Sequence, residues 1–435
     1  MLERKDCFVS LPTGGGKSLI YQLPAYRSSG ITVVITPLKS LMNDQIKQCA
    51  DHGLLAVELH GEMKDSEKQG LFFSLKQTSC LIKVLLVTAE MISENKVLLE
   101  ILNTLYSRKK LSLFVVDECH CVSKWGRQFR DSYLGLGKLK LLFSSVPMLL
   151  LTATATKSTR EDVMGILKLN NPVVIVALMN RENITYYVKE KTSQTVEEIS
   201  RMTVPVECSL VFCNTRNECE ELSPKLQAKG LKCKFYLGGM DDHLRREIQS
   251  KWIDGSLQCL MCTNAFGMGI NKPNVRLVIH FSIPASLEDM CRETGRAGRD
   301  GLPASSVLYY SHQNQVFHVR NIYERMRLEP SLCENQIQCY NHMMYYAIQK
   351  GECHRTVMLR YFGEAVPCHE MCDICQNPHS GSFKEQDITK IAKKAVLCVQ
   401  RVTGVSGQSK FTLRHFAKIL TGKKVKHNHD QLPEY

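Results

Sequence analysis

The segment Leu11-Pro-Thr-Gly-Gly-Gly-Lys-Ser18 has the residue types of a phosphate cradle. Thr13, Gly14, Gly15 and Gly16 let backbone N–H groups curl round an anion, and a helix starting there adds favourable potential. Lys17 would reach the β- and γ-phosphates, and the Ser18 hydroxyl a Mg²⁺ ion. Leu11, followed by Pro12, stands where the strict pattern has its first glycine, so a chance glycine-rich turn is the competing reading. About 100 residues on, Asp117 and Glu118 end an apolar run. One carboxylate at such a strand tip suits a metal ion, and its neighbour suits an attacking water. Cys353, Cys368, Cys372 and Cys375 are spaced C-x14-C-x3-C-x2-C, and four thiolates form a closed tetrahedral zinc site. On chemistry alone, Cys339, His354 and His369 compete as ligands.

Parallel strands must carry these groups. Near-continuous apolar runs at 31–36, 84–88, 113–117 and 148–152 read as strands covered on both faces, with helix-length segments between them. The rhythm repeats at 210–213, 232–236, 258–263, 275–280 and 306–310, which predicts two α/β sheets in tandem. The polar stretch 189–207 shows no strand pattern and reads as the joint. Beyond about 315 the pattern turns helical, and a second break lies at 377–382.

Composition sets the outer bounds. At 435 residues, about three domains are expected, and 44% apolar with 23% charged residues is ordinary globular chemistry. No apolar run approaches the roughly 18 residues of a membrane span, and no secretory leader is visible. Nineteen cysteines without such a leader point to a reducing compartment. The net charge is +13, and residues 381–435 hold 9 lysines and 2 arginines against 4 acids. That basic end suits nucleic acid, or is a solvated tail.

Taken together, Pro12 to Pro24, the Asp-Glu-Cys-His box at 117–120 and Leu151-Thr-Ala-Thr-Ala-Thr156 resemble superfamily 2 helicases. Four further segments are similar to RecQ DNA helicases: the aromatic-rich loop 120–130, Phe266 to Pro273, Glu293 to Gly301, and Cys353 to Cys375. The resemblance implies two tandem RecA-like parallel-sheet lobes, a helical zinc subdomain and a partial winged-helix domain. The corresponding expected bounds are 1–185, 186–318, 319–380 and 381–435. It further implies an ATP-dependent 3′→5′ DNA helicase that uses Mg²⁺ and Zn²⁺. Such an enzyme acts on single-stranded and forked DNA in repair, recombination and replication, in a nucleus or on a nucleoid.

Carried to this chain, Lys17, Asp117, Glu118, Arg296 and Arg299 would serve hydrolysis, with Arg299 as arginine finger. Asn271 would join the nucleotide site, and Cys353, Cys368, Cys372 and Cys375 would bind zinc. Lys39 in the segment 36–45, with Trp125, Phe129 and Arg130, would touch DNA; four residues apart, Trp125 and Phe129 also fit one buried helix face. Three departures stand out. Asn271 and Arg292 replace the family's usual Asp and Gln. No counterpart of its adenine-reading glutamine segment precedes Leu11, and the winged-helix likeness breaks off at Tyr435, so a chain truncated at both ends is expected. The alternatives are a nucleic-acid-binding remnant without turnover and, less in keeping with the loop and cysteines, an RNA helicase.

Overall fold

The computed structural model describes residues 4–37, 39–123, 131–263, 272–311, 330–377, 386–405 and 413–422. The chain divides into two compact units, 1–378 and 379–435.

The first unit carries two wholly parallel sheets. One contains β1 Cys7–Ser10, β2 Ile31–Thr36, β3 Ala56–Leu59, β4 Val84–Thr88, β5 Leu111–Val116, β6 Met148–Thr152 and β7 Val173–Val176, in the order β3-β4-β2-β5-β6-β1-β7. The other contains β8 Ile184–Glu190, β9 Ser209–Phe212, β10 Cys233–Tyr236, β11 Cys259–Cys262, β12 Leu277–His280 and β13 Ala304–Tyr310, in the order β10-β11-β9-β12-β13-β8. The central strands are buried end to end, as in β2 and β4, because helices cover both faces. That burial explains why β-branched runs without alternation were readable as strands. Parallel strands also send all their carboxyl ends to one side, where the loops that carry chemistry gather.

Two edge strands depart from the expectation. β8 lies across the anticipated boundary at 185/186 and pairs along all seven residues with β13. The supposedly strandless joint also holds the helix Thr195–Thr203, whose Ile199 is buried. At the far edge of the first sheet, β7 pairs with β1 yet stays exposed throughout.

The helical segment 330–377 has no separate core. Tyr340, Met343, Tyr346, Val357, Met358 and Leu359 belong to the same buried cluster as Ile184, Tyr186, Leu210 and Val278 of the second sheet. Its end also closes the free edge of β8: Tyr186 N–H donates to the Met371 carbonyl at 3.1 Å, and Tyr186 bridges to Cys372 in parallel. In the second unit, the described residues form the helices Thr389–Val405 and Leu413–Leu420. No described helix is long and apolar enough to cross a membrane.

Candidate nucleotide site and cysteine cluster

The loop from β1 to the helix Lys17–Arg27 holds Gly14 at φ +87° and Gly16 at φ +79°, left-handed conformations that a side chain would strain. Gly15 N–H turns back to the Pro12 carbonyl at 2.9 Å. Lys17 Nζ donates to the Leu11 carbonyl at 3.2 Å. Burial lowers the Lys17 pKa, and the Glu118 and Asp117 carboxylates partly restore it.

Asp117 follows β5 and is 8% exposed. Its Oδ2 accepts from Gln45 Nε2 at 3.0 Å and its Oδ1 from the Glu118 N–H at 3.0 Å. Burial first, and Glu118 second, push this carboxyl up to about 6. Glu118 itself sits at φ 49°, a left-handed conformation uncommon outside glycine and typical of constrained sites. His120 Nδ1 lies 3.3 Å from Glu118 Oε2 and 2.9 Å from Thr152 Oγ1. Thr152 ends β6, so the acid pair and the 151–156 segment are tied through one imidazole.

The second lobe faces them with three arginines. The helix Leu287–Thr294, capped by Ser286, presents Arg292, whose Nη2 lies 2.7 Å from Asp289 Oδ1 with both side chains buried. The turn after it carries Arg296 and Arg299. Burial and then Arg299 hold Arg296 down at about 9; burial and then Arg181 hold Arg299 down at about 10. A Cβ added at Gly14 would lie 3.5 Å from Arg299 Cγ, and one at Gly295 would lie 3.2 Å from Thr13 Cβ. The arginine turn therefore packs directly on the phosphate loop.

Thr13, Gly14, Gly16, Lys17, Ser18, Asp117, Glu118, Arg292, Arg296 and Arg299 thus line one cleft of about 510 Å³. Its donor set suits a triphosphate: cations and loop amides toward the anion, and an adjacent carboxylate pair toward a divalent ion. Lys39 is elsewhere engaged, in an ion pair with Glu62. Trp125, Phe129, Arg130 and Asn271 lie outside the described residues. Sequence reasoning missed Gln45, which holds Asp117 from 72 positions away, and Asp289 beneath Arg292. Only Gln45 had a local signal, its place in the quoted segment 36–45.

The Sγ atoms of Cys353, Cys368, Cys372 and Cys375 lie within 4.8 Å of one another. Cys353 caps the helix His354–Tyr361, accepting from Thr356 N–H at 3.4 Å, and Cys372 accepts from Cys375 N–H at 3.5 Å. Cys353 and Cys372 sulfurs are 3.6 Å apart, and that contact lowers the Cys353 thiol to about 4 while raising Cys372. Burial pushes Cys368 up to about 12. Four sulfurs this close ionise together only around a cation, and the set fits tetrahedral zinc. Cys339 and His369 fall outside the cluster, while His354 Nδ1 engages Asp373 Oδ1 at 2.7 Å.

Family models match in the same order: DEAD/DEAH box helicase over 1–163, helicase conserved C-terminal domain over 190–301, RecQ zinc-binding over 314–376 and RQC domain over 382–435. ATP-dependent DNA helicase Q-like 4B of Arabidopsis thaliana is 38% identical over 97% of this chain and 38% of its own length. ATP-dependent DNA helicase RecQ of Pasteurella multocida is 36% identical over 100% of this chain and 67% of its own. The chain spans about a third of the length of several other relatives. A solved structure of the helicase MrfA, bound to DNA and AMPPNP, shares the fold with a TM-score of 0.58 at 15% identity, over 88% of this chain and 56% of that one. With all four family models in order and 36% identity across two thirds of a bacterial RecQ, this chain belongs to the RecQ family of DNA helicases.

Proposed function

We propose that the chain is the motor of an ATP-dependent 3′→5′ helicase that moves on single-stranded DNA and opens forked duplexes, in a nucleus or on a nucleoid. The observation that carries the ATP-driven part of this reading is the packing of the Arg299 turn of one lobe on the phosphate loop of the other, while the DNA track and its polarity rest on the family. In this reading Lys17 and the loop amides bind the β- and γ-phosphates, Glu118 orients the water, and Arg299 with Arg296 balances charge spreading over the γ-oxygens. Ser18 and Asp117 would hold Mg²⁺, which when bound offsets the phosphate charge. Because the arginines come from the opposite lobe, hydrolysis and lobe closure depend on each other, and nucleotide state becomes movement along a strand. Zinc on the four cysteines would be structural, since no ligand position stays open.

The test offers the chain, with ATP and Mg²⁺, DNA forks bearing a 3′ or a 5′ tail and a matching RNA fork. Strand separation only from the 3′-tailed DNA, abolished by Lys17→Ala, is the expected result. Preference for RNA would favour the RNA-helicase reading. DNA binding without ATP turnover would favour a binding remnant.

A further inference from the structure

The arginine turn is held by a residue that neither its motif nor the nucleotide cleft contains. Arg181 lies in the segment joining β7 to β8. Its Nη2 donates to the carbonyls of Ala297 at 3.0 Å and Gly298 at 2.8 Å, and its Nη1 reaches the Gly295 carbonyl at 3.5 Å. Asn183, two residues on, donates from Nδ2 to the carbonyls of Gly298 and Leu302, both at 2.8 Å. Electrostatics does not explain this placement, because Arg181 is a cation that disfavours the charge on Arg299. Three carbonyls converging on one planar guanidinium do explain it, since its fixed fork of donors reaches all three together.

Arg181 is itself held from the other side. Arg355, 2% exposed, donates Nη1 to Asn180 Oδ1 at 2.9 Å and Nη2 to the Arg181 carbonyl at 3.0 Å and to the Ile184 carbonyl. It stands two residues after Cys353, in the helix which that cysteine caps. A short chain of contacts therefore runs from the cysteine cluster through Arg355 and Arg181 to the carbonyls on either side of Arg296.

We propose that Arg181 is a positioning residue for the Arg296–Arg299 turn, and that Arg355 braces it, so that order at the cysteine cluster sets the precision of the hydrolytic site. This rests on the reading of Arg299 as a finger given above. The physical basis is that catalysis tolerates little displacement: a misplacement of about 1 Å can cost about 10²-fold in rate.

The experiment compares Arg181→Ala, Arg181→Lys, Arg299→Ala and the Arg181→Ala/Arg299→Ala double variant in DNA-stimulated ATPase. Arg181→Ala should lower kcat about 10- to 100-fold with KM for ATP within about twofold. Arg181→Lys, which keeps the charge but loses the fork, should fall between it and the parent. The double variant should lose clearly less than the product of the two single losses, because Arg181 acts through that turn and only its hold on Arg296 is left to lose once Arg299 is gone. Hydrogen exchange at the amides of 295–299 should rise in Arg181→Ala and in Arg355→Met, a readout independent of turnover. Multiplicative losses in the double variant, or unchanged exchange at the turn, overturn the proposal while leaving Arg299 as finger. Arg299→Ala at the parent rate overturns both readings.

Discussion

Replacing Arg299 with alanine should move catalysis and stability in opposite directions. Burial, and then Arg181, hold its guanidinium at about 10 against an ordinary 12.5. A folded-state pKa below the unfolded one means that folding disfavours the charged form. The cost is fully present below about 10 and disappears only above the unfolded value. At 1.36 kcal/mol per unit, discounted for partial exposure, it amounts to about 2–3 kcal/mol against the fold at pH 7. Loss of the packing on Gly14 returns part of this. Arg299→Ala should therefore melt at the parent temperature or a few degrees above it. Turnover should fall by about 10³-fold, the lower end of the range for arginine fingers, because Arg292 and Arg296 remain in the cleft. That loss equals about 4 kcal/mol of barrier. Steady-state ATPase with saturating single-stranded DNA, beside a thermal melt, reads both quantities. A variant that melts several degrees lower and loses turnover in proportion would refute the reasoning, since Arg299 would then be a structural contact.

Glu118→Gln should bind ATP as the parent does while turnover drops about 10²- to 10⁴-fold, measured by nucleotide binding beside single-turnover hydrolysis. Gly298→Ala should slow turnover at least about tenfold, because a Cβ there would lie 2.4 Å from Asn183 Nδ2 and 2.8 Å from the Leu302 carbonyl. Elemental analysis should find one zinc per chain. Cys372→Ser should lose that zinc and lower the melting temperature of the second sheet together with the helices 330–377, as one transition.

Where chemistry and backbone were contiguous, the sequence could be read closely. The phosphate loop needs its glycines, its lysine and its preceding strand within a dozen residues, and the acid pair must end a buried run. Nine of the expected residues therefore line one cleft, and the four expected cysteines gather elsewhere. What stayed hidden depends on partners chosen by the fold. Gln45 meets Asp117, and Arg181 meets Gly298, across 72 and 117 positions, with no periodicity to announce either. The strand Ile184–Glu190 escaped notice because its polar end ran into the expected joint. The cysteine segment, expected as a helical subdomain, shares the core of the second sheet because its helices bury their apolar faces against that sheet.

The closure of β8 by the segment after Cys368 also orders events during synthesis. Val188 N–H waits for Asp373 Oδ2, its acceptor at 2.8 Å and 185 residues later in the chain. At 5–20 residues per second, the ribosome leaves that strand edge open for about 10–40 s. An unpaired edge of β-branched and aromatic residues is a template for pairing with another nascent chain. With zinc on the four cysteines, as proposed above, metal shortage would prolong the same interval and should show first in the yield of soluble protein.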